Sequence, residues 1–412
     1  MLGMGKHWNH RSRRARAVGV LTAGLLLVGA CSSSDDDASG GPATTAPTGT
    51  ASDPSADVPI NQLQVIGSHN SYNLAPRQEI GDVISAFSPD YWEELDYTHL
   101  PLTEQLEDYG IRQLEIDVYA DPDGGRFADR PAMTIIDQPT ESGVPELDEP
   151  GFKVMHIQDF DFATTCVTFV ACLTEVEAWS SANPDHVPVM IMVETKSDSI
   201  EQGAAGLGID VTTLGIDWTE PLEITPALYD DLEAEVLEVF PRDRIITPDD
   251  VRGDAATLDE AVRTTGWPLL GDSRGKVIFS LVDTGDDRAL YQEPSPTLEG
   301  RLFFTSAEPG APDAAFVRID DPIANTDALA AALDAGYLVR TRSDVPTAEA
   351  RSGDTTRRDA ALASGAQYVS TDFYAERPEF GSGYSVALPG GAVVRCSPVT
   401  ADERCDDADL SE

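Results

Sequence analysis

Arg112-Gln113-Leu114-Glu115-Ile116-Asp117-Val118 places Leu114, Ile116 and Val118 on one face of an extended chain and Gln113, Glu115 and Asp117 on the other. Val189 to Lys196 repeats the pattern, with Val189, Ile191 and Val193 opposing Met190, Met192, Glu194 and Lys196. In a closed parallel barrel the aliphatic face packs under the helix ring and the other face points inward. Charge is tolerated on that inner face only at the carboxyl end, where the barrel opens. Both stretches turn acidic at that end.

Short apolar runs recur along the chain at 63–67, 112–118, 153–157, 189–194, 276–282, 302–306, 337–341 and 367–371. Helical patterns lie between them at 103–109, 173–181, 226–239, 258–264, 326–335 and 355–364, several followed by a glycine stop. Strand alternating with helix predicts βα units, and eight of them predict an α/β fold, a TIM barrel with long loops over 60–383, followed by a C-terminal extension over 384–412. An open doubly wound sheet is the other candidate, but no glycine-rich dinucleotide loop follows the first run.

The first thirty residues are a leader. Lys6, Arg11, Arg13, Arg14 and Arg16 precede an apolar stretch from Ala17 to Ala30 that is too short to span a membrane. Val28-Gly29-Ala30-Cys31 resembles a bacterial lipobox, which implies cleavage before Cys31 and lipid on its sulfur; an ordinary secretory signal and a twin-arginine signal are alternatives. Residues 31–59 are rich in Ser, Asp, Thr, Pro, Gly and Ala, a composition expected of a tether. The expected address is outside the cell, held to the membrane through the lipid or released.

The chain has 28 basic and 72 acidic residues and a net charge of −44, and loss of the leader makes it more negative. Such a field repels nucleic acid. Beyond Cys31 the cysteines form two close pairs, Cys166 with Cys172 and Cys396 with Cys405. In an oxidising compartment these predict two local disulfides, the second closing the extension; a four-cysteine zinc site would need shorter spacings.

Polar residues collect at the ends of the first four runs: His69 and Asn70, then Glu115 and Asp117, then His156, then Glu194. Three carboxylates and an amide oxygen are hard donors suited to calcium. Two imidazoles beside a cation suit phosphodiester chemistry. Lys196 shares a strand face with Glu194, and Arg340 shares one with Arg342. A phosphate or inositol contact and a salt bridge within the acidic mouth would each account for these three, and Asp372 carries less of the case. His99 and His186 read as loop or surface packing.

Gly67-Ser68-His69-Asn70-Ser71-Tyr72, Glu115-Ile116-Asp117, Met155-His156 and Val193-Glu194-Thr195-Lys196 resemble, in order and type, the catalytic half of the calcium-dependent phosphoinositide-specific phospholipases C. Residues 266–283 and 336–373 resemble the bacterial branch of that family. The resemblance implies that His69 contacts the phosphoryl group or takes the proton of the inositol 2-hydroxyl, and that His156 protonates the leaving diacylglycerol oxygen. It implies Ca2+ on Asn70, Glu115, Asp117 and Glu194, one of these carboxylates being an alternative base, and substrate contacts from Lys196 and Arg340. The first product would be a cyclic inositol phosphate. The implied partners are a phosphoinositide or related inositol phosphodiester and, through Cys31, a membrane. A glycerophosphodiester phosphodiesterase is the rival enzyme, although its His-Arg-Gly start is absent at His69-Asn70-Ser71; a lipid-anchored phosphopolyol-binding protein is the rival without turnover.

Overall fold

The computed structural model describes residues 53–412. The leader, Cys31 and the expected tether up to residue 52 lie outside the described residues. Eight parallel strands make the ring: β1 (Leu63–Ser68), β2 (Gln113–Tyr119), β3 (Val189–Thr195), β4 (Val277–Leu281), β5 (Phe303–Thr305), β6 (Phe316–Arg318), β7 (Leu338–Arg342) and β8 (Tyr368–Thr371). Sheet pairing runs from β4 through β3, β2, β1, β8 and β7 to β6; on its other side β4 pairs with β5 and, at its start, with the two-residue parallel segment Ile245–Ile246. A parallel bridge between Ser306 and Phe316 brings β5 to β6 and closes the ring. The fold is an irregular TIM barrel.

The joints differ in strength. β2 and β3 are in register over six residue pairs, from Gln113 opposite Met190 to Val118 opposite Thr195. By contrast β1 meets β2 at one pair, Gly67 opposite Gln113. A Cβ on Gly67 would lie 2.0 Å from Oε1 of Gln113, so the glycine lets the Gln113 side chain cross β1. There its amide donates to the Ser68 carbonyl at 3.1 Å.

One expected strand is not a barrel strand. The run at 153–157 yields only Lys153–Val154, paired antiparallel to Val118 and Tyr119 on the outer end of β2. Met155 leaves this ladder for a small cluster with Tyr119, Phe127 and Leu147, and the chain then closes a tight turn. The missing barrel member is β6. Its three residues are too few to show a two-residue period.

The alternation in β2 and β3 is realised. Leu114, Ile116, Val118, Val189, Ile191 and Val193 are completely buried in the main core. Helix Phe169–Ala182 covers them from outside, started by the Thr168 side chain accepting from Ala171 N and burying Cys172, Leu173, Val176 and Trp179 at helical spacing. Helix Pro226–Val239 starts with Thr225 as cap and Pro226 in its first turn, and buries Tyr229, Leu232 and Val236.

Residues 53–59, which composition suggests as the end of a tether, pack against the barrel instead: Val58 is fully buried and Asp53 pairs with Arg274 at 2.9 Å. Beyond residue 383, Val394–Cys396 pairs antiparallel to the start of β1, and the Glu412 side chain bonds Arg112 and, at 2.8 Å, Val187 N. Disulfides join Cys166 to Cys172 and Cys396 to Cys405.

Candidate active site

Leaving β1, His69 stays on the ladder, its N–H donating to the Thr371 carbonyl at 3.0 Å, and the chain then turns sharply at Asn70, which has φ +43°. Asparagine tolerates that left-handed backbone better than most residues. Ser71 fixes the turn to β2 twice, its N–H donating to the Glu115 carbonyl and its hydroxyl accepting from Glu115 N, both at 2.8 Å. Register puts Ser68 opposite Thr371, so the next residues, His69 and Asp372, are level. His69 Nδ1 accordingly donates to Asp372 Oδ1 at 2.8 Å, leaving Nε2 toward the barrel mouth, 3.8 Å from Glu115 Oε1. Burial alone would push the Asp372 carboxyl up; Arg342, 2.5 Å away, and His69 outweigh it and hold the acid well below its usual range.

His156 reaches the same rim from a loop. Ile157 and Asp161 exchange backbone hydrogen bonds at 3.0 and 2.9 Å, and this hairpin folds the Asp161 carboxylate back so that His156 Nδ1 donates to it at 2.8 Å. Tyr119, at the end of β2, steadies the loop by bonding the Gln158 side chain at 2.7 Å and the His156 carbonyl at 3.2 Å. Burial lowers the affinity of His156 for a proton, but the hydrogen bond and charge of Asp161 overcome that and raise its pKa. The two histidine loops are sewn together: Leu74 N donates to the Ala163 carbonyl and Thr165 N to the Tyr72 carbonyl. The His69 and His156 side chains are 19% and 21% exposed and both aspartates 0%, so the rings can be reached while their partners cannot.

Between the histidines lie the carboxylates. Asp117 of β2 is opposite Glu194 of β3, and Lys196 Nζ sits 3.4 Å from a carboxylate oxygen of each. Burial pushes Asp117 up to about 6 against the pull of Lys196, with Glu194 adding to the rise. Glu194 is held below its usual range, burial being outweighed by Lys196. Arg340 is buried, donates to Glu115 Oε2 at 2.7 Å and also bonds Asp320, which is the salt-bridge arrangement.

Three carboxylates and an amide oxygen are the donor types that calcium prefers. Asn70 Oδ1 and Asp117 Oδ1 are buried without a hydrogen-bond donor, and Asp117 Oδ2 has only the Lys196 ammonium at 3.4 Å; an unpartnered buried oxygen is costly unless something else meets it. Asn70 is aimed by its own amide, whose Nδ2 donates to the Tyr97 hydroxyl at 3.1 Å. Among the described residues no three His, Cys, Asp or Glu side chains already stand at metal-binding separations. Lys196 and Arg340 supply the positive charge in this arrangement. The residues fit a hard divalent cation in donor type and in their unmet oxygens.

Of the residues expected from the sequence, the fold brings His69, Asn70, Glu115, Asp117, His156, Glu194 and Lys196 to one rim. Sequence reasoning underrated Asp372 and missed Asp161, Tyr97 and His99. Asp372 carried a signal, an acid directly after the last run. His99 does lie in a loop, but it is buried there, its Nε2 donating to the His69 carbonyl at 2.8 Å; burial holds its pKa down to about 4. His186, also buried, bonds Ser180 at 2.6 Å away from the site.

Residues 58–398 match the family described as phosphoinositide phospholipase C, Ca2+-dependent. No curated protein sequence matches. Among solved structures, the calcium-dependent phosphoinositol-specific phospholipase C of a Gram-negative Pseudomonas species, in its apo form, shares 16% identity over 83% of this chain and 96% of its own, with TM-score 0.50. Its myoinositol complex gives the same figures. A Ca2+-dependent phosphatidylinositol-specific phospholipase C from Streptomyces antibioticus shares 18% identity over 79% and 96%, with TM-score 0.47. At 16% identity the likeness to the Pseudomonas structures speaks for the barrel alone, and the sequence match over most of the folded region speaks for kinship: this chain belongs to the Ca2+-dependent phosphoinositide phospholipase C family.

Proposed function

We propose that the chain is a calcium-dependent phosphodiesterase that cleaves phosphatidylinositol-type lipids into diacylglycerol and a cyclic inositol phosphate. The observation that carries this reading is the pair of histidine–aspartate couples at one rim with an unmet oxygen on each of Asn70 and Asp117 between them.

Asp372 fixes the His69 tautomer with the proton on Nδ1, so Nε2 is free to take the proton of the inositol 2-hydroxyl as its oxygen attacks phosphorus. Arg342 keeps Asp372 ionised, which favours the imidazolium that results. The bond from phosphorus to the glycerol oxygen then breaks, and His156, whose pKa is raised, delivers its Nε2 proton to that oxygen. Lys196 places an ammonium where phosphate charge grows. Arg340 orients Glu115. Asn70, Glu115, Asp117 and Glu194 would hold calcium, which when bound supplies charge neutralisation at phosphate and acidifies the 2-hydroxyl.

The test is phosphatidylinositol turnover with and without a chelator, with phosphorus NMR on the product. Calcium-dependent release of a cyclic phosphate supports the reading. Release of glycerol phosphate would point to glycerophosphodiester chemistry, and binding without turnover to a phosphopolyol-binding protein. The leader and Cys31 support export with a lipid anchor, which incorporation of labelled fatty acid, abolished by Cys31→Ser, would check.

A further inference from the structure

Lys196 stands between two cavities of opposite character. One, of about 220 Å³, is polar and lined by Glu194, Asp283, Asp287 and Arg318. The other, of about 290 Å³, is lined chiefly by apolar side chains of helix Gln78–Phe87, helix Ile200–Gly206 and the segment after it, and it opens directly beside His156. Ile84, Tyr91, Ile200 and Leu207 line this trough, and Phe87 and Leu207, at its rim, are 56% and 49% exposed. Large apolar side chains left in water next to a catalytic group, with a concavity between them, are a recognition surface rather than surface noise.

We infer that this trough binds the hydrocarbon of the leaving group, the carbons of one acyl chain nearest the glycerol, drawing them out of the lipid layer during the reaction. The inference rests on the phospholipase reading and names the substrate class as an acylated inositol phosphodiester in preference to a deacylated one. Its argument is continuity. The proton donor His156 must touch the leaving oxygen, so whatever hangs from that oxygen lies where the trough begins. The charge pattern agrees, since the trough adjoins Lys196 at its phosphate end and is apolar beyond. Its volume suits a short length of chain, so it takes part of an acyl group.

Gly203 gives a clean way to fill it. The residue lines the trough from a helix, and a Cβ built on it meets no atom within 4 Å, so a larger side chain enters open space. The assay uses phosphatidylinositols with acyl chains of two to six carbons, all below their micelle concentrations, and glycerophosphoinositol, each in calcium. In the wild type, kcat/KM rises about threefold to fourfold for each methylene that leaves water, until the trough is full. Gly203→Trp flattens that series and lowers the ratio of dihexanoyl phosphatidylinositol to glycerophosphoinositol cleavage by roughly tenfold or more; Gly203→Ala keeps the slope. A wild-type series with no slope overturns the trough. So does a slope that Gly203→Trp leaves intact while cleavage of vesicle-borne phosphatidylinositol falls, since this face would then serve only to enter the bilayer. Absence of turnover with every substrate, glycerophosphoinositol included, sinks the phospholipase reading and this inference with it.

Discussion

His69 and His156 each give a ring N–H to a buried aspartate at 2.8 Å, yet the two couples are built by opposite means. Asp372 lies 303 residues from His69, and barrel register alone brings it level; it is braced by Arg342 and by Asp344, which accepts from its backbone N–H at 3.1 Å. Asp161 lies five residues from His156 in a hairpin, and its pKa is raised by burial despite His156 and Lys196. A carboxylate kept ionised by an arginine would suit a ring that must become cationic, the role proposed for His69. A couple with no arginine of its own would suit a ring that starts with a proton and gives it away, the role proposed for His156.

The most damaging test of this contrast removes each ring. His69→Ala and His156→Ala each reduce kcat/KM on phosphatidylinositol by about 10³–10⁴-fold with the circular dichroism unchanged. With an inositol phosphodiester whose leaving group is a nitrophenol, which needs no proton, the loss in His156→Ala shrinks to about tenfold and that in His69→Ala does not. Equal losses on both substrates would erase the division of labour. Chelating calcium costs roughly 10³-fold or more on either substrate, because charge on phosphate is common to both.

Next come the aspartates. Asp372→Asn lowers kcat by roughly 10²-fold by unfixing His69, the ring proposed to take the 2-hydroxyl proton. Asp161→Asn lowers it less, about tenfold, and moves the alkaline limb of the kcat profile to lower pH, because the raised pKa of His156 falls once its anionic partner is gone. The same linkage makes the His156 couple stabilising below the ordinary imidazole range and progressively weaker as pH rises through the raised value. The smallest effect belongs to the disulfide Cys166–Cys172, on the chain that continues from the His156 hairpin: replacing both cysteines by serine costs about 2 kcal/mol by calorimetry and changes kcat less than tenfold.

The same contrast explains what the sequence could disclose. β2 and β3 announce themselves because both faces are informative over seven residues. Glu115, Asp117 and Glu194 follow from them. Asp372 belongs to this legible part, being one residue beyond β8. The hairpin at 156–161 obeys no period, so the strand expected at 153–157 absorbed it and hid Asp161. β6 is legible only as part of a ring that needs an eighth member; Phe316-Val317-Arg318 has no pattern of its own. Arg340 shows a further limit, since its strand position is visible in the sequence but its engagement by Glu115 and Asp320 is not.

The two thin joints of the ring, at Gly67–Gln113 and at Ser306–Phe316, divide it into two arcs, β2 to β5 and β6 through β8 to β1. Glu115, Asp117 and Glu194 ride on one arc; Asn70 follows from the other. An ion gripped by both would act as a rivet across a loosely sewn edge, so loading with calcium should raise the melting temperature as well as the rate. The enzyme would then be mechanically finished only where its cation is present.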